Sequence, residues 1–103
     1  MDEPTIYHIT TQSAWRAARE ASVYRAESLE TEGFIHCSEE RQLAWVLQKH
    51  FSGRTGLLLL HIDPTRLDAD VKYENLEGGT ELFPHVYGPI PVTAVVEVSP
   101  LRT

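Results

Sequence analysis

This 103-residue chain is short of positive charge: nine Lys and Arg stand against 15 Asp and Glu, a formal charge of −6 with His neutral. Non-specific nucleic-acid binding depends on Lys and Arg neutralising phosphates, so that class of function is excluded. A local Arg remains compatible with one small phosphorylated ligand. There is a single cysteine, which rules out an intramolecular disulfide framework and fits a reducing compartment. Long apolar runs are missing too. The longest is Leu57-Leu58-Leu59-Leu60, far too short to span a bilayer. Met1-Asp2-Glu3-Pro4 has neither a basic n-region nor an apolar h-region, so no signal peptide is read. One cytoplasmic domain with no membrane association is expected.

What is present suffices for one folded core: 42% of residues are hydrophobic and 23% charged, outside the range of disordered chains. Thr5 to Thr10 alternates as a strand with Ile6, His8 and Thr10 on one face. Thr11 or Ser13 can cap a helix over Gln12 to Glu20. A polar connection containing Arg25, Ser28, Glu30 and Glu32 leads to Gly33, which opens a second strand. Ser38 then reads as a helix cap, because Glu39 and Glu40 occupy the first turn, where the helix dipole favours acids. Leu43, Val46, Leu47 and Phe51 recur at helical spacing until Gly53. Gly56 to Ile62, closed by Asp63-Pro64, reads as a strand buried on both faces at the centre of a sheet. Val71 to Glu74 is a short strand, Asn75 to Leu82 a loop, and Thr93 to Val98 a last β-branched strand. The order predicts an α+β fold: one small mixed β-sheet of about five or six strands with two helices.

Two blocks carry the candidate chemistry, Gly33-Phe34-Ile35-His36-Cys37-Ser38 and Phe83-Pro84-His85-Val86-Tyr87-Gly88-Pro89. Side chains alternate on a strand, so His36 shares a side with Ser38, and His85 with Tyr87. Two such strands facing one another would line a polar cleft, with His36, Ser38 and His85 within roughly 10 Å of each other, the span of a small ligand. The prolines stiffen the second block, and Pro84, which lacks an N–H, argues against a regular central strand there. Glu74 is the candidate carboxylate. Arg25 could hold a phosphate through its fork of donors. Cys37 falls with Ile35 on the core face, which argues against a nucleophile. His61 reads as a strand-end group, and His50 as a partner of its helix C-terminus. The five His include no i,i+4 pair and no His-x-His, so no metal site is expected.

Tyr7-His8-Ile9-Thr10, Glu32 to Ser38, the Leu-rich strand ending in Ile62-Asp63, Tyr73-Glu74 and Phe83 to Pro89 resemble, in that order, the bacterial and plant family called domain of unknown function 952. Tyr7-His8-Ile9-Thr10 is also similar to the Tyr-His-Gly-Thr opening of RNA 2'-phosphotransferases and ADP-ribosyltransferase-like proteins. Ile35-His36-Cys37-Ser38 is similar to their Val-His-Leu-Ser strand. That second resemblance implies an ADP-ribosyltransferase-like fold with NAD as a cofactor or substrate. It implies that His8 holds a ribose hydroxyl and that Ser38 lies beside it. Ile9 stands where those proteins carry Gly, and no arginine cluster accompanies it.

Two functions of different classes follow. One is an ADP-ribosyltransferase-like enzyme acting on NAD, ADP-ribose or a related phosphorylated ribose compound. Glu74 and His85 are its catalytic candidates; His8, His36, Ser38 and Tyr87 are its ligand-binding candidates. The other is a non-enzymatic small-ligand binding or structural module. In the first, replacing His36 or His85 is expected to weaken binding and leave the thermal midpoint nearly unchanged.

Overall fold

The computed structural model describes residues 4–75 and 78–101. β1, Ile6–Thr11, runs straight into α1, Gln12–Ala21. Thr11 makes the switch: its Oγ1 accepts the Ala14 amide at 3.1 Å, meeting one of the donors a helix start leaves unpaired. β2 (Val23–Tyr24), α2 (Glu27–Thr31) and β3 (Ile35–His36) follow. Gly33 adopts φ 89°, a left-handed conformation natural to glycine. Its amide closes α2 on the Ser28 and Leu29 carbonyls, each at 3.1 Å, and the chain turns at once into β3. A 3₁₀ turn over Glu40–Gln42 leads into α3, Leu43–His50. The remaining strands are β4 (Leu57–Ile62), β5 (Val71–Glu74), β6 (Phe83–Val86), β7 (Ile90–Pro91) and β8 (Val95–Pro100).

The α+β class holds, but the expected single mixed sheet is three small antiparallel sheets: β1-β4-β8, β2-β7 and β3-β6-β5. A parallel pair needs a crossover that ends in a strand long enough to run beside the first. The strands after α1 and α2 are two residues each, so they pair with β7 and β6 instead. There are three α-helices among the described residues rather than two. The extra one, α2, is five residues long, too short to show periodicity in sequence. The last strand begins at Val95 because Val92–Ala94 forms a 3₁₀ turn. The expected loop from Asn75 to Leu82 falls partly on residues 76–77, outside the described residues.

β4 does occupy the middle of its sheet, and its three buried leucines serve two cores. Leu60 and Ile62 join Ile6, Ala18, Tyr24, Ile35, Val86 and Ile90, with Ala14 and Trp15 of α1 packed against them. Leu57 and Leu59 point the other way to Ile9, covered by Leu43, Val46, Leu47 and Phe51 of α3 and its end. Alternation on one strand therefore seats α1 on one face of the sheet and α3 on the other.

β6 is the central strand of its sheet despite Pro84. The residue's carbonyl accepts the Cys37 amide at 3.0 Å. In an antiparallel ladder a residue's N–H and C=O point to the same neighbour, so the missing N–H costs one bond to β3 and none to β5. β3 accordingly ends at His36; Cys37 still bonds Pro84, and the partner changes at Ser38, which exchanges two 2.8 Å backbone bonds with Tyr7 of β1. Cys37 and Ser38 thus join the β3-β6-β5 sheet to the β1-β4-β8 sheet. Further on, a Cβ on Gly88 would lie 2.7 Å from Ala69 Cβ, so only glycine admits that approach.

Candidate functional site

A cleft of about 350 Å³ opens where the β3-β6-β5 sheet meets β1 and α3. Its polar floor is His8, His36, Ser38, Glu74 and His85, and its apolar walls include Tyr7, Ile9, Trp45, Phe51 and Phe83. His36 and His85 face each other across the ladder of β3 and β6, which puts both side chains on one face. Their ring centroids are 5.3 Å apart. Ser38 borders the same space but does not cap a helix. Glu39 takes that role through a reciprocal capping box with Gln42, while Ser38 is fixed by its backbone exchange with Tyr7.

The centre of the floor is a three-residue network. Glu74 Oε1 accepts from His85 Nδ1 at 3.0 Å and from the Tyr87 hydroxyl at 2.6 Å. These two donors, Tyr87 first, hold the Glu74 carboxyl below its usual range. The same bond raises the Tyr87 hydroxyl above its usual value. A carboxylate only accepts, so His85 carries its proton on Nδ1, and its neutral form leaves Nε2 as an acceptor. No buried side-chain nitrogen or oxygen lacks a partner among the described residues. Nε2 has no hydrogen-bond partner there and so keeps some exposure, on a residue that lines the cleft. The His85 side chain is otherwise only 5% exposed, and its ring stacks on Phe34 at 4.3 Å between centroids. Tyr87 does not line the cleft. It acts from behind Glu74, with Lys72 Nζ 4.8 Å above its ring.

His8 is different. Its Nδ1 donates to the His36 carbonyl at 2.6 Å, and its Nε2 meets the Tyr24 hydroxyl at 2.7 Å. Tyr24 in turn reaches Thr10 Oγ1 at 2.9 Å. Burial lowers the His8 pKa from 6.5 to about 4, so its neutral form is the one present near pH 7. With both nitrogens occupied, His8 offers no ring atom to a ribose hydroxyl; it anchors the backbone beneath His36. His36 itself is 54% exposed in its side chain and pairs with Glu32 Oε2 at 3.0 Å.

Of the other sequence candidates, Arg25 and His61 lie elsewhere, while Cys37 borders the cleft. Arg25 is exposed and outside the cleft. Cys37 is buried, which pushes its thiol up, away from the reactive thiolate. His61 bonds Ser99 at 2.8 Å. Among the described residues no three His, Cys, Asp or Glu side chains gather as a metal ion would require, and no helix is long and apolar enough to cross a membrane.

Sequence reasoning missed the aromatic lip. Trp45, 46% exposed, stacks with Phe83 at 5.7 Å between centroids. Trp45 lies off the Leu43-Val46-Leu47 stripe of α3, and a large aromatic on the polar side of an amphipathic helix is the signal that would have exposed it.

The fold and site define a small α+β domain in which three antiparallel sheets and a covering helix enclose a cleft floored by His, Glu and Ser. Residues 9–98 match the family model described as "Protein of unknown function (DUF952)", and the chain belongs to that family. It is similar to the X-ray structure of protein CC0527 from Caulobacter crescentus. That likeness has a TM-score of 0.85 and 32% identity, covering 95% of this chain and 86% of that one. The solution NMR structure of CC0527 gives a TM-score of 0.80 and 33% identity over 94% of this chain and 84% of the other. Among curated proteins, none matches the chain.

Proposed function

We propose that the cleft binds a small ring-bearing ribosyl compound of the kind represented by NAD and ADP-ribose, with His85 as its acid–base group. One observation carries the reading: Glu74 Oε1 takes both the His85 Nδ1 proton and the Tyr87 hydroxyl, which leaves His85 Nε2 as an unpartnered acceptor on a residue that lines the cavity. A base needs an orienting partner behind it and an open nitrogen in front. A ribose diol could then donate one hydroxyl to Nε2 and the other to Glu74 Oε2. His36 and Ser38 lie alongside, and Trp45 with Phe83 offers aromatic surface to the ligand's ring. The likeness of Tyr7-His8-Ile9-Thr10 and Ile35-His36-Cys37-Ser38 to ADP-ribosyltransferase-like segments supports the same ligand class.

A second reading is binding without turnover. It is favoured by the cleft wall itself, in which none of the described lining residues is Lys or Arg, so a pyrophosphate finds no clamp. Isothermal calorimetry with NAD, ADP-ribose and a free nucleoside tests both readings, followed by chromatography of the incubated ligand. Binding with conversion supports the enzyme. Binding with the ligand recovered intact supports the module. Silence from all three overturns the ribosyl reading.

A further inference from the structure

The cleft's charge census is one-sided. Glu74 is the only Asp or Glu among its described lining residues, and no Lys or Arg accompanies it. The carboxylate is also adjacent to the aromatic lip. Glu74 and Phe83 stand opposite each other on β5 and β6, which places their side chains side by side on one face. Phe83 in turn stacks with Trp45. An ionised acid beside stacked aromatic rings, in a cleft without cationic walls, is the arrangement that favours an organic cation.

We propose that the ring taken by this cleft carries a positive charge: a flat aromatic cation lying against Trp45 and Phe83 with its charge toward Glu74. This deepens the small-ligand reading of the same cleft and rests on it. Two further features agree. The Trp45 ring already draws an ammonium, Lys49 Nζ, to 4.8 Å from its centroid, so the ring attracts cations and a ligand cation would take the place of Lys49. The chain's net charge of −6 favours the approach of a cation over that of an anion. Lys72 shares the sheet face with Glu74, yet it is drawn over the Tyr87 ring and does not line the cleft. An anionic group, phosphate included, would meet Glu74 with no opposing charge from the lining residues and would remain outside.

The test is a charge series on one ring: 1-methylnicotinamide (cationic), nicotinamide (neutral) and nicotinate (anionic). Binding is followed at pH 8 through the indole N–H signal of Trp45, with that of the core-packed Trp15 as the internal control. The expected order is cation, then neutral ring, then anion, with the cation favoured roughly tenfold over the neutral ring. Glu74→Gln keeps an oxygen acceptor for His85 and Tyr87 but removes the charge, and should bring the cation to within about twofold of the neutral ring. Equal affinity for cation and neutral ring in the wild type overturns the inference, as does a preference that survives in Glu74→Gln. If none of the three rings binds while a ribosyl compound does, this inference alone falls. If neither kind of ligand binds, the ribosyl reading falls with it.

Discussion

His8 and His85 are buried to similar degrees, 9% and 4% exposed, yet they belong to opposite kinds of region. His8, in the β1-β4-β8 sheet, has both nitrogens occupied by a backbone carbonyl and a buried tyrosine, and burial depresses its pKa. His85, in the β3-β6-β5 sheet, gives one nitrogen to a carboxylate and leaves the other without a hydrogen-bond partner among the described residues. The difference teaches that burial alone does not separate a histidine with both nitrogens engaged from one with a nitrogen left unpartnered among the described residues. The partner of each nitrogen does.

The largest expected effect lies on the framework side. His8→Ala removes packing, leaves the His36 carbonyl without its side-chain donor and leaves the Tyr24 hydroxyl with Thr10 alone. We expect about 3 kcal/mol of lost stability, read as a lower urea midpoint. A loss below about 1 kcal/mol would break the comparison, because His8 would then be no anchor.

Acid stability should carry the same signature. The folded-state pKa of His8 is depressed from 6.5 to about 4, so the unfolded chain binds a proton that the folded chain refuses. Its contribution is fully present above pH 6.5 and is lost as pH falls toward 4, for a total of roughly 3 kcal/mol. Urea melts across that range should show the slope in the wild type, and a weaker one in His8→Ala. An unchanged slope in the variant would place the acid sensitivity elsewhere.

His85→Ala sharpens the contrast from the other side. Its stack on Phe34 means that the midpoint should fall, where the ligand-site reading of the sequence expected it nearly unchanged. A stability loss of about 2 kcal/mol is expected, together with at least a roughly tenfold loss of affinity for any ligand bound through Nε2. His36→Ala, at a half-exposed position, should weaken binding with less than about 0.5 kcal/mol of stability change. Calorimetry and melts on the pair separate affinity from packing. Equal melting losses for both would erase the distinction between them.

The smallest effect belongs to Tyr87→Phe. Without its hydroxyl the Glu74 carboxyl should titrate at higher pH, since that donor is the first cause of its lowered value. A carboxylate held low contributes stability above its ordinary range and loses it as pH falls through the lowered value, so the variant should lose that contribution at higher pH. NMR titration of the Glu74 side-chain carboxyl reads the shift directly. No upward movement would mean that Tyr87 does not tune the network.

Much of this was legible in short stretches. Alternation put Ile6, His8 and Thr10 on one face, the Leu57 to Leu60 run marked a central strand, and the parity of His36 and His85 put each on a definite side. The α2 turn, the pairing of β2 with β7 and the aromatic lip were not legible. The first two are too short to leave a pattern, and the third joins Trp45 to Phe83 from opposite ends of a long connection.

By itself the sequence determined the α+β class, the family and that His36 shares a strand side with Ser38, because these depend on local period and motif. The tertiary structure alone decided that His8 is an anchor, that Tyr87 stands behind Glu74, and that Pro84 lies in a central strand. Each of those outcomes depends on which donor meets which acceptor across 11 to 28 residues of chain, or on which neighbour a strand's missing N–H faces. Such pairings are set by packing of distant segments, and no local pattern encodes them.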